Sequence, residues 1–149
     1  MASVLDVAAF ILRERGRMSA MKLEKLVYYS QAWSVVWDDP PDAPLFPERI
    51  EAWAYGPVCP ALYDKHRGQV VVDNIPSGDP DTLTTNQRET VQVVLDYYAD
   101  RPTWALSDLT HMEPPWRDAR GECPAGAWCE NEITLASMQE YYASLSADD

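Results

Sequence analysis

The stretch "MSAMKLEKLVYYSQAWSVVW", Met18 to Trp37, decides how this chain folds. Leu23, Leu26, Val27, Ser30, Trp33 and Trp37 follow one another at steps of three, one, three, three and four. On a helix those positions form one stripe. Ser19 stands where an N-cap would satisfy the first turn. The small Ser30 within the stripe marks a place where another element comes close. Lys22, Glu24 and Lys25 lie off the stripe, so the pattern predicts a helix that starts amphipathic. Its second half, "YYSQAWSVVW", is apolar on nearly every face and predicts deep burial or contact with a partner.

Working outward, Val4, Leu5, Ala8, Ile11 and Leu12 repeat at helical spacing, with Ser3 as N-cap and Gly16 as stop. After the central helix, "DDPPDAPLFP" (residues 38–47) carries four prolines, which remove donors and fix the backbone, so it is a loop pinned by Leu45 and Phe46. "RIEAWAYGP" alternates, Ile50, Ala52 and Ala54 against Glu51, Trp53 and Tyr55, and predicts an extended segment ended by Gly56-Pro57. A short helix follows over Cys59 to Arg67, with Pro60 in its first turn and Gly68 as its stop. Residues 69–83 read as a polar connection with a short strand at Val70 to Val72.

Thr84 and Gln87 have capping-box spacing ahead of a helix whose face is Val91, Val94, Leu95 and Tyr98. Thr103 or Ser107 starts another short helix. "GECPAGAWCE" is a loop, and "TLASMQEYYASL" a last helix capped by Thr134, facing inward through Leu135, Met138, Tyr141 or Tyr142, and Leu145. No internal repeat or low-complexity tract breaks the pattern. The fold class is mainly α with a minor β element, in one compact domain over residues 1–149.

At 149 residues the chain is long enough to bury roughly 70 % of its unfolded surface without staples. Its 46 % hydrophobic and 24 % charged composition is that of a globular domain. Six Trp and eight Tyr stand out, since such side chains fill cores and anchor interfaces. Twelve basic against 24 acidic residues give a net charge of −12. That balance opposes contact with phosphate backbones, so no direct nucleic-acid binding is expected; it favours encounter with a basic partner. The opening residues have an apolar patch, but Asp6 interrupts it and the run is too short to span a membrane. Three cysteines, Cys59, Cys123 and Cys129, suggest no disulfide framework, and a cytoplasmic chain is the simplest reading. Zinc would need two ligands beyond Cys123 and Cys129, and His66 and His111 stand at no familiar spacing, so no metal or other cofactor is expected.

Catalytic signatures are absent: no phosphate-cradling glycine loop and no nucleophile elbow. Ser107, Asp108 and His111 share one face of a helix, and a hydroxyl, a carboxylate and an imidazole are the parts of a nucleophile system. Adjacent side chains on one helix rarely surround a common cleft, however, and His111 also suits a helix end, bonding a free carbonyl and complementing the dipole. Glu113, Asp118 and Glu122 offer carboxylates, which are cheap in so acidic a chain. Pro114-Pro115 forces the backbone out of helix and aims Trp116, which either plugs the core or presents its edge to a partner. Two stiff aromatic turns, at Gly56-Pro57 and at Pro114-Pro115, in one small domain point to a functional surface.

Three blocks together resemble the Panacea domain, also called the SocA-like antitoxin domain. That pattern has a helix of the kind L-K-L-x-K-L-x-Y-Y-x-Q, here Met21 to Gln31 with Met21 in place of the first leucine. An extended segment ends in Y-G-P-V, here Tyr55 to Val58, and an L-T-H-x-x-x-x-W follows, here Leu109 to Trp116. Order and spacing match over roughly residues 4–145. The resemblance implies a cytoplasmic, non-enzymatic antitoxin of bacteria, phages or prophages that neutralises a protein toxin encoded nearby by direct contact. Such toxins include translation inhibitors of the alarmone-synthetase-like kind. One member of the family instead acts as an adaptor delivering its toxin to the ClpXP protease, and an enzyme using His111 is the third reading. The candidate partner-binding residues are Tyr55, Gly56, Pro57, His111 and Trp116; the rival surfaces are the N-terminal helix and the loops over 38–47 and 121–132.

Overall fold

The structure, a computed structural model, describes residues 2–38 and 43–147. The centre of the proline-rich loop expected over 38–47 lies outside the described residues. Seven helices account for most of what is described: α1 (Val4–Arg15), α2 (Ala20–Trp37), α3 (Pro60–His66), α4 (Thr85–Tyr98), α5 (Thr103–Met112), α6 (Pro114–Arg120) and α7 (Leu135–Ala147). Two small sheets complete them. β1 (Met18–Ser19) pairs antiparallel with β4 (Val71–Val72), while β3 (Gly56–Val58), β2 (Ile50–Trp53) and β5 (Glu132–Ile133) form an antiparallel sheet in that order. The mainly α fold with a minor β element is what the periodicity predicts.

Helix α2 is the axis. Leu23, Leu26, Val27, Tyr29 and Ala32 are wholly buried, and α1, α4, α5 and α7 pack around it. An apolar helix without a polar face has to be surrounded, and this one is along most of its length, with Trp37 at its end exposed. Ser19 accepts from the Lys22 amide and caps it. Ser30 is satisfied within the helix, its hydroxyl donating to the Leu26 carbonyl at 2.8 Å. Gln31 pins the loop that follows, donating to the Phe46 carbonyl at 2.8 Å and accepting from the Leu45 amide at 2.7 Å. Leu45 and Phe46 are buried, as their spacing from the prolines suggests.

Four helices, α1, α2, α4 and α7, start where capping chemistry puts them. Ser3 with Asp6 and Thr84 with Gln87 both form reciprocal capping boxes, and Thr134 accepts from the Ser137 amide ahead of α7. Gly16 ends α1 at a φ of 76°. Of the two starts offered for α5, Thr103 is the one used.

Four expectations need correction. Glu24 and Lys25 do not face water: both are buried, at 1 % and 0 % exposure, because β3, α3 and α5 close over the first turns of α2. Gly56-Pro57 does not end the extended segment but returns it. Ala54 and Tyr55 make the turn, and Gly56 and Pro57 pair back with Trp53 and Ala52 as an edge strand, where a missing amide donor costs nothing. Pro114 and Pro115 break α5 but also open α6, occupying its first turn, whose amides have no intrahelical partner in any case; Trp116 is therefore helical. Cys123 and Cys129 are joined as a disulfide with a Cα separation of 6.2 Å, leaving Cys59 free and buried. The odd count of cysteines concealed that pairing, and with it goes the argument from cysteine usage for a reducing compartment.

Candidate functional site

The hairpin β2–β3 folds over the start of α2, and Gly56 makes that approach possible. Its φ is 121°, and a Cβ there would lie 2.5 Å from Lys25 Cε and 3.0 Å from Thr110 Oγ1. Only glycine fits both the backbone and the space. Beneath it Lys25 donates to the Pro57 carbonyl at 3.4 Å. Burial pulls the Lys25 ammonium down to about 8, with neighbouring Glu24 pushing the other way. Glu24 in turn accepts from the Cys59 amide at 2.9 Å and meets His66 Nε2 at 2.7 Å, which ties α2 to β3 and α3. Burial pushes the Glu24 carboxyl up, against the hydrogen bonds from His66 and Cys59.

The α5–α6 corner closes on the same hairpin from the other side. Ser107 Oγ donates to the Tyr55 carbonyl at 3.0 Å. The His111 ring stacks on Trp116 with centroids 4.1 Å apart and planes within 13°. Trp116 Nε1 donates to the Trp53 carbonyl at 2.8 Å. Arg120 lies over the far part of this stack, 5.4 Å from the Trp116 ring, and donates to the Ala52 and Pro124 carbonyls. The carbonyls of Ala52, Trp53 and Tyr55 are thus bonded, in turn, by Arg120, Trp116 and Ser107. Burial and then nearby Lys25 push the His111 imidazole down, which keeps it neutral near pH 7. Its Nε2 is buried with no partner among the described residues.

All five candidate residues are therefore brought together, but with different parts to play. Tyr55 is 75 % exposed at the hairpin tip. Gly56 and Pro57 are buried, and His111 and Trp116 are half-buried. Trp116 plugs the corner, with its indole N–H consumed inside the protein. His111 bonds no carbonyl of its own helix among the described residues; its ring stacks on Trp116 instead. Nor do Ser107, Asp108 and His111 form a nucleophile system, because the serine hydroxyl is given to Tyr55. Glu113 is buried while Asp118 and Glu122 are exposed, so no carboxylate pair forms.

With the hairpin, the α2 start and the α5–α6 corner in mutual contact, comparison with known sequences is decisive. A family model described as antitoxin SocA-like, Panacea domain, matches residues 23–117. The chain belongs to the SocA-like antitoxin family. No curated protein and no solved structure matches it. The family suggests an antitoxin role, a cognate toxin as partner and a non-enzymatic, regulatory mode of action. The three segments that resemble the Panacea pattern are the ones that converge on Lys25 and Gly56. Among the described residues no helix of this Panacea domain is long and apolar enough to cross a membrane.

Sequence reasoning missed two polar clusters. Lys25, Glu24 and His66 were hidden by a helical-wheel argument, although a helix apolar on every other face leaves its charges nowhere to go. The second cluster is centred on Glu113, whose Oε1 accepts from Tyr29 at 2.7 Å and from Tyr142 at 2.8 Å, while Tyr28 and Tyr142 hydroxyls meet at 3.0 Å. The run of tyrosines on α2 and α7 was visible as packing; that it needed an acceptor was the available signal, since buried phenols seek partners.

Proposed function

We propose that this Panacea domain neutralises a cognate protein toxin, encoded beside it, by direct stoichiometric binding that masks the toxin's active or substrate-binding surface. Family membership carries this reading. The exposed Tyr55 is the proposed anchor, and Gly56, Pro57, His111 and Trp116 are the frame that fixes it. A rigid aromatic held at the tip of a braced turn loses little entropy on binding, which suits an interface anchor. The net charge of −12 favours a basic partner and fast encounter with it. A translation inhibitor of the alarmone-synthetase-like kind is the toxin class we put forward from the resemblance. As the resemblance implies, the domain acts in the cytoplasm and by binding rather than catalysis; the commitment of the Ser107 hydroxyl to Tyr55 speaks for binding.

The test is a growth rescue. The adjacent reading frame is induced alone and together with this chain, and the pair is then run on size exclusion. Relief of toxicity with a co-eluting complex, lost in Tyr55→Ala, is the expected result. Rescue accompanied by protease-dependent disappearance of the neighbour would replace masking by the adaptor mechanism involving ClpXP. A neighbour that is not toxic would sink the proposal.

A further inference from the structure

The end of α2, the outer side of α4, the Leu109–Glu113 end of α5 and α7 enclose a half-open cavity of about 650 Å³. Its walls are aromatic. Trp33 and Trp37 stack with centroids 4.6 Å apart, Tyr97 and Tyr98 meet edge to face at 4.7 Å, and Tyr141 faces them from α7. Trp37 and Tyr97 are 44 % and 64 % exposed, an unusual cost for side chains of that size. Trp33 is held in place by a hydrogen bond from Nε1 to the Tyr98 hydroxyl at 3.0 Å.

Glu113 lines this cavity, and it is 95 % buried by its 5 % exposure. The hydroxyls of Tyr29 and Tyr142 both bind its Oε1, which orients the carboxyl rigidly. No hydrogen bond from the described residues reaches Oε2, and that atom is not sealed away from the cavity. A buried carboxyl with one oxygen fixed and the other unpartnered, beneath a ring of aromatic faces, has the chemistry of a cation receptor: burial pushes the carboxyl up, and an entering cation favours its ionised form. The negative faces of indole and phenol attract a cation, and the carboxylate supplies its counter-charge. Arg101 at the rim already shows that these walls accept a guanidinium: its Cζ lies 4.8 Å from the Tyr97 centroid and 5.6 Å from that of Tyr98. No ion pair joins it to Glu113 among the described residues, but its charge does act on the carboxyl, so a cation entering the cavity competes with Arg101.

We infer that this cavity receives an arginine or lysine side chain of a protein partner, its charge enclosed by Trp37 and Tyr97 and paired with Glu113. The inference deepens the antitoxin reading and, for the identity of the partner, rests on it. Charge selects this occupant: a chain of net charge −12 draws basic surfaces, and the cavity offers a negative centre where an acidic side chain would be repelled. The cavity is separate from the Tyr55 tip, so a toxin spanning both would be held at two points.

The test uses the intact protein and a blocked arginine, N-acetyl-argininamide, as probe, with the citrulline analogue as a neutral probe of equal shape. Tryptophan fluorescence and indole N–H shifts report binding. We expect saturable binding of the arginine probe, about tenfold weaker for citrulline. Glu113→Gln and, independently, Trp37→Ala should each weaken the arginine probe by about tenfold. Arg101→Gln, which removes a competing positive charge, should tighten it. Trp37 is exposed enough for its variant to fold, so a Glu113 variant that failed to fold would leave the question decidable. Equal affinity for the two probes, or unchanged affinity in folded Trp37→Ala, would overturn the inference. The same variants are then run with the co-expressed neighbour. A complex indifferent to Glu113→Gln and Trp37→Ala would defeat this inference and leave the antitoxin reading standing. Probe binding by a chain that forms no complex with its neighbour would do the reverse.

Discussion

Lys25 provides the sharpest test of how the hairpin sits on α2. Its side chain is wholly buried, its ammonium has one acceptor among the described residues, at 3.4 Å, and burial pulls it from 10.5 down to about 8. Below about pH 8 the folded chain holds a proton on a desolvated amine, and the gap between the two values corresponds to about 3 kcal/mol of lost stability. Between about pH 8 and 10.5 the unfolded chain keeps that proton and the folded chain releases it. Stability therefore rises with pH in this window, by at most about 1.4 kcal/mol per pH unit. From pH 7 to pH 9 the gain from Lys25 is about 1.4 kcal/mol. Other groups act oppositely: burial pushes the Cys59 thiol up to about 12 and raises the buried tyrosines, so these favour unfolding as pH rises. Lys25→Met isolates the lysine because it keeps all of those. Urea unfolding of both proteins at pH values of about 7, 8 and 9, followed by tryptophan fluorescence, measures the difference. Lys25→Met should be more stable at pH 7 by about 2 kcal/mol, the burial cost less one weak hydrogen bond. Its advantage should shrink by about 1.4 kcal/mol by pH 9. Parallel profiles for the two proteins, within about 0.3 kcal/mol, would refute the reasoning.

Gly56→Ala should cost about 3 kcal/mol in the same urea assay, because the Cβ meets fully buried Lys25 and the φ of 121° is unfavourable for any L side chain; a loss below about 1 kcal/mol would mean that the hairpin shifts freely. Tyr142→Phe removes one donor to Glu113 and the partner of the Tyr28 hydroxyl, and should cost about 2 kcal/mol while raising the Glu113 carboxyl further, seen as a midpoint displaced to higher pH in an acid titration. Reducing the Cys123–Cys129 disulfide should lower stability by about 2 kcal/mol, the modest value of a short closed loop, read as a drop in Tm with dithiothreitol that Cys59→Ala does not alter. Reversing acidic residues around the toxin interface should slow association at low salt more than it speeds dissociation, which stopped-flow mixing at two ionic strengths would show.

Much of the local structure was legible. Caps at Ser3, Ser19, Thr84 and Thr134 rest on side chains bonding nearby amides, and such contacts are written in adjacent residues. The alternation over Ile50 to Trp53 gave the strand, and the three blocks around Tyr28, Gly56 and His111 gave the family before any coordinates. What failed was long-range. Whether Glu24 and Lys25 meet water depends on α3 and the hairpin, which lie beyond the helix that carries them. Whether Cys123 meets Cys129 depends on the path of a loop, and whether Pro114-Pro115 ends or begins a helix depends on what Trp116 can reach.

The sequence by itself determined an α-rich domain around one apolar helix, the capped starts of α1, α2, α4 and α7, and membership in an antitoxin family, because each of these is encoded in spacing along the chain. Only the tertiary structure decided which polar groups are buried together: Lys25 under Gly56, Glu24 with His66, and Glu113 among the tyrosines at the base of an aromatic cavity. Those pairings join residues tens of positions apart, and no period or motif records them. They follow from packing, which leaves a buried charge no water and obliges it to find its partner in another element.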